Sequence, residues 1–395
     1  MRSLVPERLQ VTSELITGIA ELTTNDPERQ RMNDAALVIE NGIVAWIGPS
    51  SKAPAADTSK DVEGLAVMPG WVDSHSHMVF AGDRSEEFEA RLAGKKYEAG
   101  GINSTVTATR AATDNQLTAN LLRLRSEALH NGTTWMETKT GYGLSVEQEQ
   151  RSARIAADVV DDVTFLGAHV VPEGMDADEY VSLVTGPMLE AVRPYVSWID
   201  VFAERGAFDE EQSRAVLAAG AAAGLGLRVH GNQLGYGPGV QLAVEFGAAS
   251  VDHCNHLTAA DIDALANSDV VATLLPACDL CTREPFAPAR QLLDAGATIA
   301  LASNCNPGTS YTTSMQYAVT TAVLQMGLTV DEAIWAATKG GATALGRAEG
   351  PDAIGSLTVG SRADLQVLEA PSVSHFAYRP GVPLTCAVWK LGIPV

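Results

Sequence analysis

Positive charge is scarce in this sequence: 27 Lys and Arg stand against 48 Asp and Glu in 395 residues, a formal net charge of -21. A chain of pI near 4.7 repels phosphate backbones and anionic membranes at long range, which argues against nucleic acid or a membrane as partner. A small anionic substrate is still allowed, because a few local Arg or Lys side chains override the global field. Cysteine is sparse as well. The five residues Cys254, Cys278, Cys281, Cys305 and Cys386 are odd in number, lie scattered through apolar segments and suggest no disulfide framework. Cys278 and Cys281 form a lone C-x-x-C without a second Cys pair or a nearby His pair, and read as small buried hydrophobes in preference to a structural zinc or redox pair. Long apolar runs are missing: no stretch of about 18 uncharged apolar residues suggests a membrane span. Residues 1–8 lack the apolar core of a signal peptide. The expectation is a cytoplasmic protein.

What the sequence does have is a repeat. Eight short β-rich runs occur, at 66–75 (AVMPGWVDSH), 133–138 (TTWMET), 163–169 (VTFLGAH), 198–204 (WIDVFAE), 224–230 (GLGLRVH), 250–253 (SVDH), 270–276 (VVATLLP) and 298–304 (TIALASN). Helical Ala/Leu/Glu-rich patterns such as 212–223 separate them. The pitch, roughly 20 to 35 residues, is that of a β/α unit and predicts an α/β fold, either a (β/α)8 TIM barrel or a large doubly wound sheet. The polar residues favour the barrel. His75, Glu137, His169, Glu204, His230, His253 and Asn304 all fall at the carboxyl ends of their runs, where a barrel gathers its site. Of the eight His in the chain, five (His75, His77, His169, His230, His253) lie at these ends.

Two flanks fall outside the barrel at 66–355. Residues 36–48 carry two alternating runs joined by Asn-Gly, a hairpin signal, and strand-like segments recur at 355–368 and 387–392. Neither flank can form a good core alone, so residues 1–65 and 356–395 are expected to pack together as one small β domain.

The chemistry begins at His75-Ser-His77, two imidazoles on one side of an extended chain and within reach of one ion. With His230 and His253 at later strand ends they form a candidate metal cluster; the alternative is a set of core histidines each satisfied by backbone partners. Arg84 offers a fork that fits a carboxylate, unless it is a solvated charge beside Asp83 and Glu86. Tyr142, between Gly141 and Gly143, suits a loop closing over a ring, or a packed turn. Glu137 and Lys139 could orient a metal shell or pair with each other, and the structural role is preferred for both. The glycines of 235–239 lack the strand-loop-helix context of a phosphate loop.

PGWVDSHSH at 69–77, followed by the later strand-end histidines, resembles the amidohydrolase superfamily. Within it the similarity is close to the imidazolonepropionase family of histidine degradation, carried by VFAGDR at 79–84, GGINSTVTATR at 100–110, ETKTGYG at 137–143, FLGAH at 165–169, GAF at 206–208, HGNQL at 230–234 and NPG at 306–308. The resemblance implies a distorted (β/α)8 barrel with a small β-sandwich built from both chain ends, and a homodimer. It implies hydrolysis of 4-imidazolone-5-propanoate to N-formimino-L-glutamate by water activated on one divalent ion, zinc or iron. By the same resemblance His75, His77 and His230 would be metal ligands, with position 304 as a further one. His253 would carry a proton or stabilise an oxyanion, and Gln233 would contact the ring. Arg84, Tyr142, His169, Asn306 and Gly308 would bind substrate.

Position 304 departs from that pattern, since the eighth strand of this family usually ends in a metal-binding Asp that accepts a proton from the attacking water. Asn304 offers one neutral oxygen and cannot act as a base. Three accounts are open: a deliberate Asp→Asn change, a natural paralogue, or transfer of the base role to His253. Gly231, Ala203 and 277–281 also differ from the usual pattern, which favours the paralogue. The alternative function is therefore a repurposed or impaired relative that binds a small imidazolone or cyclic amide, or acts on it without hydrolysis.

Overall fold

The computed structural model describes residues 13–94 and 101–395; residues 1–8 and Gly100, used above, lie outside them. Among the described residues, sixteen strands form two sheets of eight. In chain order they are β1 (Ser13–Thr23), β2 (Arg31–Glu40), β3 (Ile43–Pro49), β4 (Thr58–Asp61), β5 (Ala66–Pro69), β6 (Trp71–Asp73), β7 (Thr133–Lys139), β8 (Asp162–Ala168), β9 (Trp198–Ala203), β10 (Gly226–Gly231), β11 (Ser250–His253), β12 (Val271–Leu274), β13 (Ile299–Leu301), β14 (Leu365–Leu368), β15 (Thr385–Lys390) and β16 (Ile393–Pro394).

Strands β6 to β13 follow one another in sequence order, every adjacent pair parallel, which is the barrel arrangement. The ends meet just beyond the strands: Asn304 N–H donates to His75 O at 3.0 Å and His77 N–H to Cys305 O at 2.9 Å. The barrel is thus closed by the segments that carry the H-x-H pair and the Asn304 turn. Helices return the chain between strands, and several start where a side chain stops them. Capping boxes form at Thr113/Gln116, Asp209/Gln212 and Thr258/Asp261, each satisfying backbone N–H groups that the first turn leaves unpaired.

The second sheet runs β16-β15-β14-β5-β1-β2-β3, with β4 paired to β1, so it is built from both ends of the chain. The run at 66–75 is divided between the sheets. β5 pairs with β14 in the terminal sheet and β6 with β7 in the barrel, because Pro69-Gly70 breaks the ladder between them. The terminal sheet has its own core around Ile16, Leu37, Val67 and Leu365, while the larger core fills the barrel and its helical shell.

One close approach fixes the mouth of the barrel. A Cβ on Gly231, at the end of β10, would come within 2.9 Å of Gly239 Cα, and one on Gly239 within 2.6 Å of Gly231 Cα. Two glycines let the helix at Gly239–Glu245 start directly against the strand that carries His230.

Candidate active site

Three imidazoles converge at the carboxyl end of the barrel. His75 Nε2 lies 3.1 Å from His77 Nε2, and His230 Nε2 lies 3.4 Å from the same atom. Behind them the opposite ring nitrogens face carboxylates: His75 Nδ1 is 2.6 Å from Asp252 Oδ2 and His230 Nδ1 is 3.0 Å from Asp200 Oδ1. A carboxylate only accepts, so each ring carries its proton on Nδ1 and turns the Nε2 lone pair toward the focus. Burial, and then neighbouring cationic groups, hold His75 and His77 well below the ordinary imidazole range, in the neutral form a metal needs.

These residues fit a cation. Two nitrogen lone pairs that face each other at hydrogen-bond distance repel unless something positive lies between them. Bonds of about 2.0–2.1 Å in a tetrahedral shell would place nitrogens roughly 3.3 Å apart, close to the spacing seen. Asn304 lines the same cavity, and its Oδ1 is buried without a hydrogen-bond partner. Its backbone lies in the left-handed region (φ 50°), which Asn tolerates better than most residues.

A buried ion cluster supports the focus. Lys139, wholly buried, lies 3.1 Å from Glu137 Oε1, 3.0 Å from Asp200 Oδ2 and 3.7 Å from Asp252 Oδ2. Burial opposes its charge, but the three carboxylates outweigh that and raise its pKa. Burial likewise opposes ionisation of Asp200, yet His230 and Lys139 hold it well below the usual carboxylate range. Sequence reasoning treated Glu137 and Lys139 as structural and passed over Asp200 and Asp252. Each of these two is an acid inside an otherwise apolar run, and the pattern of the run alone does not say what it pairs with.

The wall of the cavity includes His77, Arg84, Tyr142, His169, His230, Gln233, His253, Asn304 and Asn306, so the structure brings these predicted positions together. Arg84 is buried and not the solvated charge considered above; its Nε and Nη2 donate to Glu87 at 2.7 Å each. Gly308 sits against it, since a Cβ there would lie 2.2 Å from Arg84 Nη1. Tyr142 rides on a loop whose N–H groups at Gly141, Gly143 and Leu144 all donate to Glu149, at 3.0, 2.7 and 2.8 Å. Glu149 went unnoticed in the sequence because its role depends on a turn. His169 stacks on His77 with ring centres 5.5 Å apart and faces Gly141 O through Nδ1 at 3.0 Å. Burial lowers its pKa to about 3. Asn306 spends its amide on its own loop, donating to Asn304 O and Thr309 Oγ1 and accepting from Gly308 and Thr309 N–H. His253 completes the wall in a rare backbone conformation for a non-glycine residue (φ 83°), with its pKa pushed well down by burial.

The fold and this site define an amidohydrolase: a profile described as the amidohydrolase family matches residues 66–385. A protein from Saccharopolyspora erythraea named imidazolonepropionase is 68% identical over 385 residues, covering 98% of this chain and 99% of its own. Another of that name from Arthrobacter sp. is 63% identical, covering 96% and 99%. The chain belongs to the imidazolonepropionases of the amidohydrolase family. A solved adenosine deaminase from Xanthomonas campestris with bound zinc superposes with a TM-score of 0.71 at 19% identity, over 96% of this chain and 92% of that one, a likeness of fold. No helix among the described residues is long and apolar enough to cross a membrane.

Proposed function

We propose that this chain hydrolyses 4-imidazolone-5-propanoate to N-formimino-L-glutamate, a step of histidine degradation. The observation that carries this reading is the three-imidazole focus, of which His77 and His230 share one cavity wall with Arg84. His75, His77 and His230 would hold one divalent ion, zinc or iron, with Asn304 Oδ1 as a neutral fourth donor. When bound, the ion would acidify a water and polarise the ring carbonyl. Arg84 would hold the propanoate tail, changing its bond with Glu87 for one with substrate. Tyr142 and His169 would pack on the ring, while Gln233 and the turn at Asn306 and Gly308 close its far side. Asn304 has no proton affinity, so His253, a buried neutral imidazole, takes the base role and passes the proton to the departing nitrogen.

The domain division that goes with this reading is 1–65 with 356–395 for the small β domain, and 66–355 for the barrel. A homodimer in the cytoplasm, acting on a small anion and on neither nucleic acid nor membrane, completes it.

The Asn304 amide favours one second reading, a relative that binds such a ligand but turns it over poorly or without hydrolysis. Metal content measured alongside ring opening separates the two. About one equivalent of zinc or iron with turnover of 4-imidazolone-5-propanoate is expected. Tightly bound metal with no turnover, restored by Asn304→Asp, would establish the second reading and sink the first.

A further inference from the structure

Beside the three-imidazole focus lies a second group of donors that the reaction above does not use as ligands. One donor atom each from His253, Cys278 and Asp279 lies within 4.8 Å of the others, and all three residues are buried. The group comes from two adjacent segments: His253 ends β11, and Cys278 and Asp279 lie in the helix Pro276–Thr282 that follows β12. Its polar atoms are poorly satisfied. Asp279 accepts from Asn255 Nδ2 at 2.7 Å through Oδ1 and is also held by the backbone of Ala287, while Oδ2 is buried with no side-chain partner. His253 Nδ1 is also buried without a partner. The Cys278 sulfur receives only a long contact from Gln233 Nε2, 3.8 Å, besides the side chains of Thr309 and Asn304. A buried carboxylate, an imidazole and a thiol with open valences are costly to leave so, and a cation satisfies all three together.

We propose that His253, Cys278 and Asp279 form a second cation site, selective for a soft divalent ion such as cadmium or excess zinc, whose occupation inhibits the enzyme. Selectivity follows from the sulfur, because the three-imidazole focus offers nitrogen alone and thiolate prefers softer ions. Binding balances simply. The thiol gives up its proton to solvent as the sulfur–metal bond forms, so each ion releases at least one proton. Burial pushes Asp279 up to about 7, so near neutral pH it contributes part of a second. Inhibition follows from position: the His253 ring centre is 5.5 Å from that of His230 and 5.8 Å from that of His75. An ion held on His253 removes the lone pair that accepts the proton. This last step rests on the base role proposed above; the binding step does not.

The test uses the metal-loaded enzyme titrated with cadmium, following bound metal by equilibrium dialysis, thiolate-to-metal absorption in the ultraviolet, and turnover. The expected result is one further equivalent per chain, with the thiolate band, and turnover lost at least tenfold as it fills. Cys278→Ser should keep the first equivalent, lose the band and resist inhibition; Asp279→Asn should weaken the second equivalent by tenfold or more. A band that survives Cys278→Ser, uptake that stops at one equivalent, or a second equivalent that leaves turnover unchanged would each overturn the proposal. Cys281→Ala and Cys386→Ala are expected to behave as the parent. An enzyme that takes up the second equivalent yet shows no ring opening would defeat the proposed function and leave the cation site standing.

Discussion

Lys139 Nζ lies 3.0 Å from Asp200 Oδ2, and Asp200 in turn faces His230 Nδ1 at 3.0 Å, so one buried ammonium stands two contacts behind the three-imidazole focus. The same Nζ is 3.7 Å from Asp252, which orients His75. Lys139 therefore stands behind two of the three rings, through the carboxylates that orient them.

Lys139→Met strands the Glu137, Asp200 and Asp252 carboxylates in a dry interior. Breaking a buried ion group in this way costs about 3–5 kcal/mol, to be read from denaturant unfolding. Because the orienting carboxylates lose their partner, metal affinity should also fall by roughly 10- to 100-fold in competition with a chelator. A stability loss with unchanged metal affinity would show that Lys139 serves the core alone.

Asn304→Asp adds a carboxylate and its charge to the cavity. Because His253 already serves as the base, turnover should stay within about tenfold of the parent, whereas a rise of about 10²- to 10⁴-fold, the usual worth of a positioned base, would show that His253 does not fill that role. The stability sign depends on metal. Without it, the added buried charge destabilises; with it, the charge is compensated and the gain in melting temperature on loading exceeds that of the parent. Unchanged turnover, with metal bound, would mean that His253 already supplies the full base function.

Much of this was legible in the chain because the signals are local. The alternation of β-rich and helical runs predicts the barrel, and the strand-end rule predicts that His75, His77, His230, His253 and Asn304 share its mouth. Two kinds of feature were not legible. The division of 66–75 between two sheets depends on pairing of β5 with β14, about 300 residues away in sequence. The supporting carboxylates Asp200 and Asp252 are invisible to periodicity, which expects no charge on a strand buried on both faces. Contact with Lys139, brought in from another strand, together with the His230 and His75 rings, makes their burial tolerable. Glu149 is a third case, since its partners are three backbone N–H groups of one turn and backbone groups leave no trace in a sequence.

Gly308→Ala tests the carboxylate fork without altering a charge. The new methyl would overlap Arg84 Nη1, 2.2 Å away, and the guanidinium, being the far end of a flexible side chain, would yield. The fork is then misplaced for the propanoate tail while the metal focus is untouched. KM should rise about tenfold, equivalent to ~1.4 kcal/mol of lost binding, with kcat within a factor of about two. A fall in kcat at constant KM would place Gly308 at the reacting bond instead.

Glu204 gives the stability of the enzyme a pH dependence of known sign. Burial raises its carboxyl from 4.5 to about 7, although the N–H groups of Gln233 and Leu234 donate to it. Between those two values the folded chain keeps a proton that the unfolded chain has released. Stability therefore falls as pH rises from 4.5 through about 7, then levels off, with a slope of at most roughly 1.4 kcal/mol per pH unit from this group. Glu204→Gln keeps an acceptor for both N–H groups and removes the titration. Unfolding free energies measured from pH 5 to pH 8 should decline less in the variant, which should be the more stable of the two at pH 8. Parallel pH profiles would show that the Glu204 carboxylate is solvated in the folded state and ionises there as it does in the open chain.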